Sequence, residues 1–344
     1  MRIFHLTCAA ALTLSPMVVV AAPSPAAAAV APCRNGRVAL TFDDGPGPQT
    51  SRLLRVLRSH DAPATFFVVG QRVGARSAAI RAMVRDGHVV ANHSWDHSQL
   101  TKLSSRAIRS QLTRTTKAVV RAGAPRPTIM RPPYGATNGR VRAVTRSLRL
   151  REVLWTIDTT DWNHRSSDYI VRAALRKLRK SNRNNILMHD GVGNSRRTVA
   201  AVPRIISGIR RRGYCLTVVG PQGLPADPRP KITADSATVT EGNAGTKVLR
   251  IPVRLSSAAV RRASVRVRTQ GASARSVSDY KTLSTRVAWR PRTRNATISV
   301  RIVGDTVHEA TQRFFITFSN PSHARTGTKR IVVTVKDNDT APVQ

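Results

Sequence analysis

The sequence predicts an α/β barrel followed by an all-β sandwich, and three observations carry that expectation. Up to Val219, short apolar runs alternate with stretches whose apolar residues recur at helical spacing. Beyond Gly220 the helical spacing disappears, and apolar and polar residues alternate singly. Between the two lies Pro221 to Pro230, a linker by its proline content. The expected organisation is a first unit over residues 33–220, a linker over 221–230 and a β-sandwich over 231–340.

The first strand carries Val38, Leu40 and Phe42 alternating with smaller or polar residues, and Gly36 and Gly45-Pro46 bound it. Thr65 to Val69, His88 to Ala91, Ile129-Met130, Val153 to Ile157, Ile186 to Met188 and Cys215 to Val219 read as the strands that follow. Between them Ser51 to Ser59, Ser104 to Val120 and Asp168 to Lys180 have helical apolar spacing and arginine-rich opposite faces. Strands alternating with helices imply parallel pairing. Chemically capable residues fall at the carboxyl ends of these strands, the face on which barrels of this kind build their active sites.

Two pairs among those residues stand out. Asp43 and Asp44 end the first strand, and His93 and His97 follow the strand His88 to Ala91. Adjacent carboxylates repel unless a cation lies between them, so one bound to metal and one free to move a proton resolves the conflict. Successive side chains of a regular strand point to opposite faces, so the Gly45-Pro46 break must re-aim one of the two. An Asp-Gly-Pro run is also ordinary turn chemistry. Histidines four apart share one face of a helical turn and would share a cation. His60 and His88 lack such context and read as structural or exposed, and His164 as part of a polar loop.

Residues from about Arg37 to Val219 resemble the polysaccharide deacetylase (NodB-homology) family, the fourth carbohydrate esterase family. The resemblance rests on Thr-Phe-Asp-Asp-Gly-Pro at 41–46, His-Ser-x-x-His at 93–97, Arg-Pro-Pro-Tyr at 131–134, Asp-Thr-Thr-Asp-Trp at 158–162 and Ile-Leu-Met-His at 186–189. It implies a distorted (β/α) barrel and metal-dependent removal of acetyl groups from a glycan. Asp44, His93 and His97 would hold one divalent metal, zinc first, with cobalt, nickel or iron compatible with the same donors. Asp43 would be the general base, and Arg131 would orient it by a bidentate contact. His189 would be the general acid, its pKa raised by Asp161. The backbone N–H of Tyr134 would stabilise the oxyanion, a contribution of about 3–4 kcal/mol for a well-placed donor. Trp162 and Leu187 would wall the acetyl and sugar groove. The substrates implied carry N-acetylglucosamine, in chitin oligomers or peptidoglycan. An acetyl-xylan esterase is the alternative within the same chemistry, and a wall-binding protein with vestigial activity the alternative outside it.

The N-terminus has Arg2, then an apolar run to Val20 and an Ala/Pro-rich stretch, which reads as a secretory signal peptide over 1–29 with cleavage between 22 and 31. Cys8 falls in that leader, leaving Cys33 and Cys215 as an even pair in an exported protein, an expected disulfide. Closing so long a loop contributes about 4–5 kcal/mol on a chain-entropy argument. No transmembrane segment is expected in the mature chain.

Lys and Arg total 57 against 18 Asp and Glu, a formal net charge of +39. Such a balance first suggests nucleic acid. However, the basic residues are spread over nearly every element, with no basic tail or aromatic-interleaved patch, and export removes nucleic acid as a partner. Attraction to an anionic cell wall or surface is expected instead.

The second unit resembles a Calx-β domain through Val239-Thr240-Glu241-Gly242-Asn243, Ser278-Asp279-Tyr280, Asp305 and Glu309 before Arg313-Phe314, and Asp337-Asn338-Asp339. The resemblance implies that Glu241, Asp279, Asp305, Glu309, Asp337 and Asp339 are candidates for binding calcium at one end of the sandwich. Gln312 stands where that family often has a second acid.

Overall fold

The computed structural model describes residues 33–259, 262–291 and 293–341; the expected leader, its cleavage region and Cys8 lie outside the described residues. Strands and helices alternate as β1 (Gly36–Asp43), α1 (Thr50–Ser59), β2 (Thr65–Val68), α2 (Gly70–Val73), α3 (Ser77–Arg85), β3 (Val89–Asn92), α4 (Ser105–Arg121), β4 (Ile129–Met130), α5 (Gly139–Ser147), β5 (Arg151–Glu152), β6 (Ile157–Asp158), α6 (Ser167–Arg176), β7 (Ser181–His189), α7 (Ser195–Arg211) and β8 (Cys215–Val219).

The sheet runs β5-β4-β3-β2-β1-β7-β6, with β8 beside the first half of β1, and these pairs are parallel. The sequence neighbours β5 and β6 are the two ends of that order. The sheet therefore curls round until Val153 to Thr156 span the gap, which makes a distorted barrel.

Alternation along each strand divides the core. Val38, Leu40, Phe42 and Phe66 face the helices, where Phe42 and Phe66 stack with ring centroids 5.4 Å apart. Ala39, Phe67, Ala91, Ile129, Val153 and Val219 form a second buried cluster with Ala39 and Phe67 on the opposite strand face. Asp43 shares the parity of Ala39 and Thr41 on β1, so it enters the site on that inner face.

The expected strand Val153 to Ile157 is not formed: β5 is Arg151–Glu152, β6 begins at Ile157, and the residues between are irregular. Val153 O accepts from Arg131 Nε and Leu154 O from Asn185 Nδ2, so these carbonyls serve side chains rather than a ladder. The helix expected from Asp168 to Lys180 ends at Arg176. The expected linker carries a short strand, β9 (Pro225–Ala226), antiparallel to β8. A turn closed by Gly220 N–H to Leu224 O and Gly223 N–H to Gly220 O brings it back, and Gly223 there has φ 75°. Its proline lies on a sheet edge, where a missing N–H is tolerated. Cys33, just before β1, and Cys215, the first residue of β8, are disulfide-bonded across 182 residues.

The second unit is an antiparallel-dominated sandwich of β10 (Lys231–Ala234), β11 (Ala237–Thr240), β12 (Thr246–Leu255), β13 (Ala263–Gly271), β14 (Ser284–Trp289), β15 (Asn295–Val303), β16 (Gln312–Ser322), β17 (Arg325–Thr326) and β18 (Arg330–Lys336). Its sheets run β15-β12-β10-β17 and β11-β18-β16-β13-β14. Period-two burial, as at Ile251, Val253 and Leu255, sends one residue in two into a core around Trp289, Phe314 and Tyr280. Tyr280 stacks on Phe314 with centroids 4.1 Å apart.

Candidate active site

Asp43 is 2% exposed, and its Oδ1 accepts from Arg131 Nη1 at 2.7 Å. Arg131 is fully buried, and the same nitrogen also donates to Thr41 Oγ1 at 2.9 Å. Its guanidinium lies 4.1 Å above the Phe67 ring centroid. The expected bidentate contact is not formed. Nε and Nη2 are committed to Val153 O, Leu154 O and Asn185 Oδ1, so Arg131 both orients Asp43 and closes the barrel seam. Burial lowers the Arg131 pKa, a pull that the Asp43 charge opposes.

The second carboxylate is re-aimed by its own backbone. Asp44 has φ 70°, a left-handed conformation unusual outside glycine, and this turns it off the strand alternation. The histidines follow a similar device. His93 to His97 is not a helical turn: Ser94 has φ 64° and His97 φ 67°. Local bonds replace the helix, with Ser94 N–H to Asn92 Oδ1, His97 N–H to Ser94 Oγ, and Gln111 Oε1 accepting from the N–H groups of Trp95 and Asp96.

Asp44 Oδ1 lies 3.3 Å from His93 Nε2 and 3.1 Å from His97 Nε2. Neither contact has hydrogen-bond geometry, and this buried oxygen has no hydrogen-bond partner among the described residues. Three ligand-type atoms thus converge without satisfying one another, within 4.8 Å, as a donor set for one cation requires. His93 Nδ1 is 2.7 Å from Arg131 O, which fixes that nitrogen as donor and turns Nε2 to the cluster. Burial alone would raise the Asp44 pKa; the two imidazoles override it and hold the group well below the usual carboxylate range.

On the other side, His189 Nδ1 is 2.8 Å from Asp161 Oδ1. Asp161 is fully buried and over-determined: its Oδ2 accepts from His189 N–H at 2.8 Å and from Thr198 Oγ1 at 2.7 Å. Burial works to lower the His189 pKa, but Asp161 outweighs it, helped by Asp43 and Asp44, and the result is about 9.

Tyr134 has φ 61°, and its ring packs edge-on against His97 with centroids 4.8 Å apart. Trp162 is 51% exposed, as a groove wall would be, while Leu187 is 4% exposed and lies within β7. His60 Nδ1 contacts Val56 O, His88 Nδ1 accepts from Ala64 N–H, and His164 is an exposed loop residue. Leu154, 46% exposed on the seam segment, had no distinguishing pattern in the sequence.

At one end of the sandwich, Glu241, Asp337 and Asp339 offer carboxylate oxygens within 4.8 Å of one another. Asp279 accepts from Arg275 N–H, Asp305 from Val307 N–H, Glu309 from Gln312 Nε2, and Asp337 from the N–H groups of Glu309 and Asp339, so these carboxylates also hold their own loops. Burial and the charges of Asp305, Asp337, Glu309 and Asp339 push the Glu241 pKa up to about 7.

A family model described as polysaccharide deacetylase matches residues 32–153, and one described as Calx-beta domain matches residues 228–340. Over 181 residues the chain is 36% identical to the peptidoglycan-N-acetylglucosamine deacetylase PgdA of Listeria monocytogenes, covering 52% of this chain and 37% of that one. It therefore spans little more than a third of that relative's length. A chitooligosaccharide deacetylase of Rhizobium leguminosarum bv. trifolii is 37% identical over 190 residues, 52% of this chain and 87% of that one. The solved family 4 carbohydrate esterase from Streptomyces lividans in complex with acetate superposes with a TM-score of 0.53 at 41% identity, covering 56% of this chain and 98% of that one. The chain belongs to the polysaccharide deacetylase family and carries a Calx-beta domain after the catalytic unit. Among the described residues, no helix is long and apolar enough to cross a membrane.

Proposed function

We propose that this chain is a metal-dependent glycan deacetylase that hydrolyses the acetamide of N-acetylglucosamine units in peptidoglycan or chitin oligomers, outside the cell. The observation that carries the reading is the convergence of Asp44, His93 and His97 beside a second, differently held carboxylate, Asp43. The matched relatives act on such glycans by name.

Asp44 Oδ1 and the Nε2 atoms of His93 and His97 would hold the cation, zinc being the first choice for two imidazoles and a carboxylate with positions left open. When bound, such an ion lowers the pKa of water to roughly 7 and polarises a carbonyl oxygen. Asp43, held by Arg131, takes the proton from the attacking water as the carbon–oxygen bond forms. The backbone N–H of Tyr134 donates to the developing oxyanion. His189, protonated at neutral pH with its pKa at about 9, gives its proton to the nitrogen as the carbon–nitrogen bond breaks. Acetate and a free amine leave. Exposed Trp162 offers the sugar a face to stack on, and Leu187 backs the groove from beneath.

The deacetylase unit extends in this reading through Ala226, because β9 completes the sheet beside β8. The leader directs export, and the charge left after its removal with Arg2, +38 (39 − 1), holds the protein at an anionic wall. The sandwich takes calcium at Glu241, Asp337 and Asp339.

Acetate release from peptidoglycan, chitin oligomers and acetylated xylan tests the substrate class. Release from the first two supports the reading. Release from xylan alone keeps the chemistry and moves the substrate to O-acetyl esters, and release from none of them leaves wall binding as the role.

A further inference from the structure

β1 and β7 stop holding each other where the chemistry begins. The last backbone bond between them is Asp190 N–H to Asp43 O at 3.1 Å. Beyond it the turn carrying Asp44 and the turn following His189 go separate ways, and among the described residues no backbone bond joins them.

A side chain takes over that place. Arg72 Nη1 donates to Asp44 O at 2.5 Å and to Gly191 O at 2.8 Å. Arg72 lies on α2, whose own backbone is tied to the histidine loop: Gly70 N–H donates to Ser94 O and Gln71 N–H to Trp95 O, both at 3.0 Å. Three carriers of the site therefore meet on one short element: the turn of Asp44, the loop of His93 and His97, and the turn after His189. Beneath the same turn Asp190 is fully buried. The Thr50 hydroxyl donates to its carboxyl and accepts from Gly47 N–H, and a Cβ on Gly45 would collide with that carboxyl.

We propose that Arg72 is a positioning residue: by bridging Asp44 O and Gly191 O it holds the left-handed turn that aims the Asp44 carboxylate at His93 and His97, and it fixes that carboxylate relative to His189. The proposal rests on the functional reading above. Its physical basis is that a non-glycine residue at φ 70° persists only where its surroundings over-determine it. Arg72 grips the carbonyl of that very residue. Freed of the bridge, Asp44 relaxes toward ordinary strand geometry and its carboxylate leaves the imidazoles.

The test uses Arg72→Met, which keeps the apolar stem and removes the donors, and Arg72→Ala, which leaves room for an added guanidinium ion. Expected for both is a zinc affinity of the metal-free protein about 10-fold or more below wild type, the range of other supporting contacts at metal sites. A matching fall in kcat with KM little changed is expected, with partial recovery of both in the alanine variant on adding millimolar guanidinium. Wild-type zinc affinity and kcat in both variants, with only a lower melting temperature, would make Arg72 a structural brace and overturn the proposal. Failure of the underlying reading looks different: wild type and Asp44→Ala would then bind zinc equally or not at all.

Discussion

Asp43 of β1 and His189 of β7 are register partners across a parallel ladder. The proposed general base and the proposed general acid are thus set at the same height on adjacent strands. Each is held by its own buried counter-charge, Arg131 for Asp43 and Asp161 for His189. Those partners differ in sign, which suits the two residues to the opposite roles proposed for them.

Asp43→Asn keeps the shape of the side chain and removes its basicity. Turnover should fall about 10²- to 10⁴-fold, the usual contribution of a positioned general base. Zinc affinity should stay within a few-fold, since Asp44 and the histidines remain. The variant also leaves the fully buried Arg131 without its counter-charge, which costs about 3 kcal/mol or more in urea unfolding. Turnover within twofold of wild type would remove Asp43 from the base role.

The pH dependence follows from His189, whose pKa is raised from 6.5 to about 9. A general acid works only while protonated, so kcat should hold through neutral pH and fall on the alkaline side. A bound dication would cancel part of the Asp44 contribution and move that limb to lower pH. Asp161→Asn leaves only Asp43 and Asp44 to oppose burial and should move the limb to lower pH. The same shift acts on stability. A folded pKa above the unfolded one contributes stabilisation fully present below 6.5 and lost as pH rises through about 9. An alkaline limb unmoved by Asp161→Asn would assign the proton to another group.

The sandwich should respond to calcium in a pH-dependent way. Glu241 titrates at about 7 when folded against 4.5 when free, so its stabilising protonation is fully present below 4.5 and lost as pH rises through 7. Calcium should replace the proton. Millimolar calcium is expected to raise the melting temperature of the sandwich at pH 8 and to have little effect at pH 5, and Asp337→Asn should blunt the rise. Equal melting at pH 8 with and without calcium would leave the acidic end as loop structure only.

The strand and helix alternation was legible where strands show period-two alternation or a continuous apolar run, as in β1, β2, β3 and β8, but not at β5, whose Arg151-Glu152 shows neither. The residue types of the site were legible because they cluster in short motifs. Their geometry was not. The Asp43–Asp44 conflict is resolved at the φ of Asp44, and the His93–His97 spacing by two left-handed residues and the Gln111 cap, none of which leaves a periodic trace. Arg131 was legible as the partner of Asp43 but not as the clasp of the Val153–Leu154 seam, since that depends on carbonyls far along the chain. β9 was hidden by its proline, which marks a linker and an edge strand alike. Arg72 and Thr50 act through long-range contacts with backbone and a buried acid, and of these residues only Asp190, just after the motif that ends at His189, stands beside a recognisable pattern.

If one cation on Asp44, His93 and His97 makes this chain a deacetylase, zinc titrated into metal-stripped protein should switch on acetate release from chitin oligomers or peptidoglycan. No release is expected without metal and full release at one zinc per chain, with Asp44→Ala showing neither tight binding nor release. Release that persists in the stripped protein, or zinc bound tightly by Asp44→Ala, would contradict this expectation.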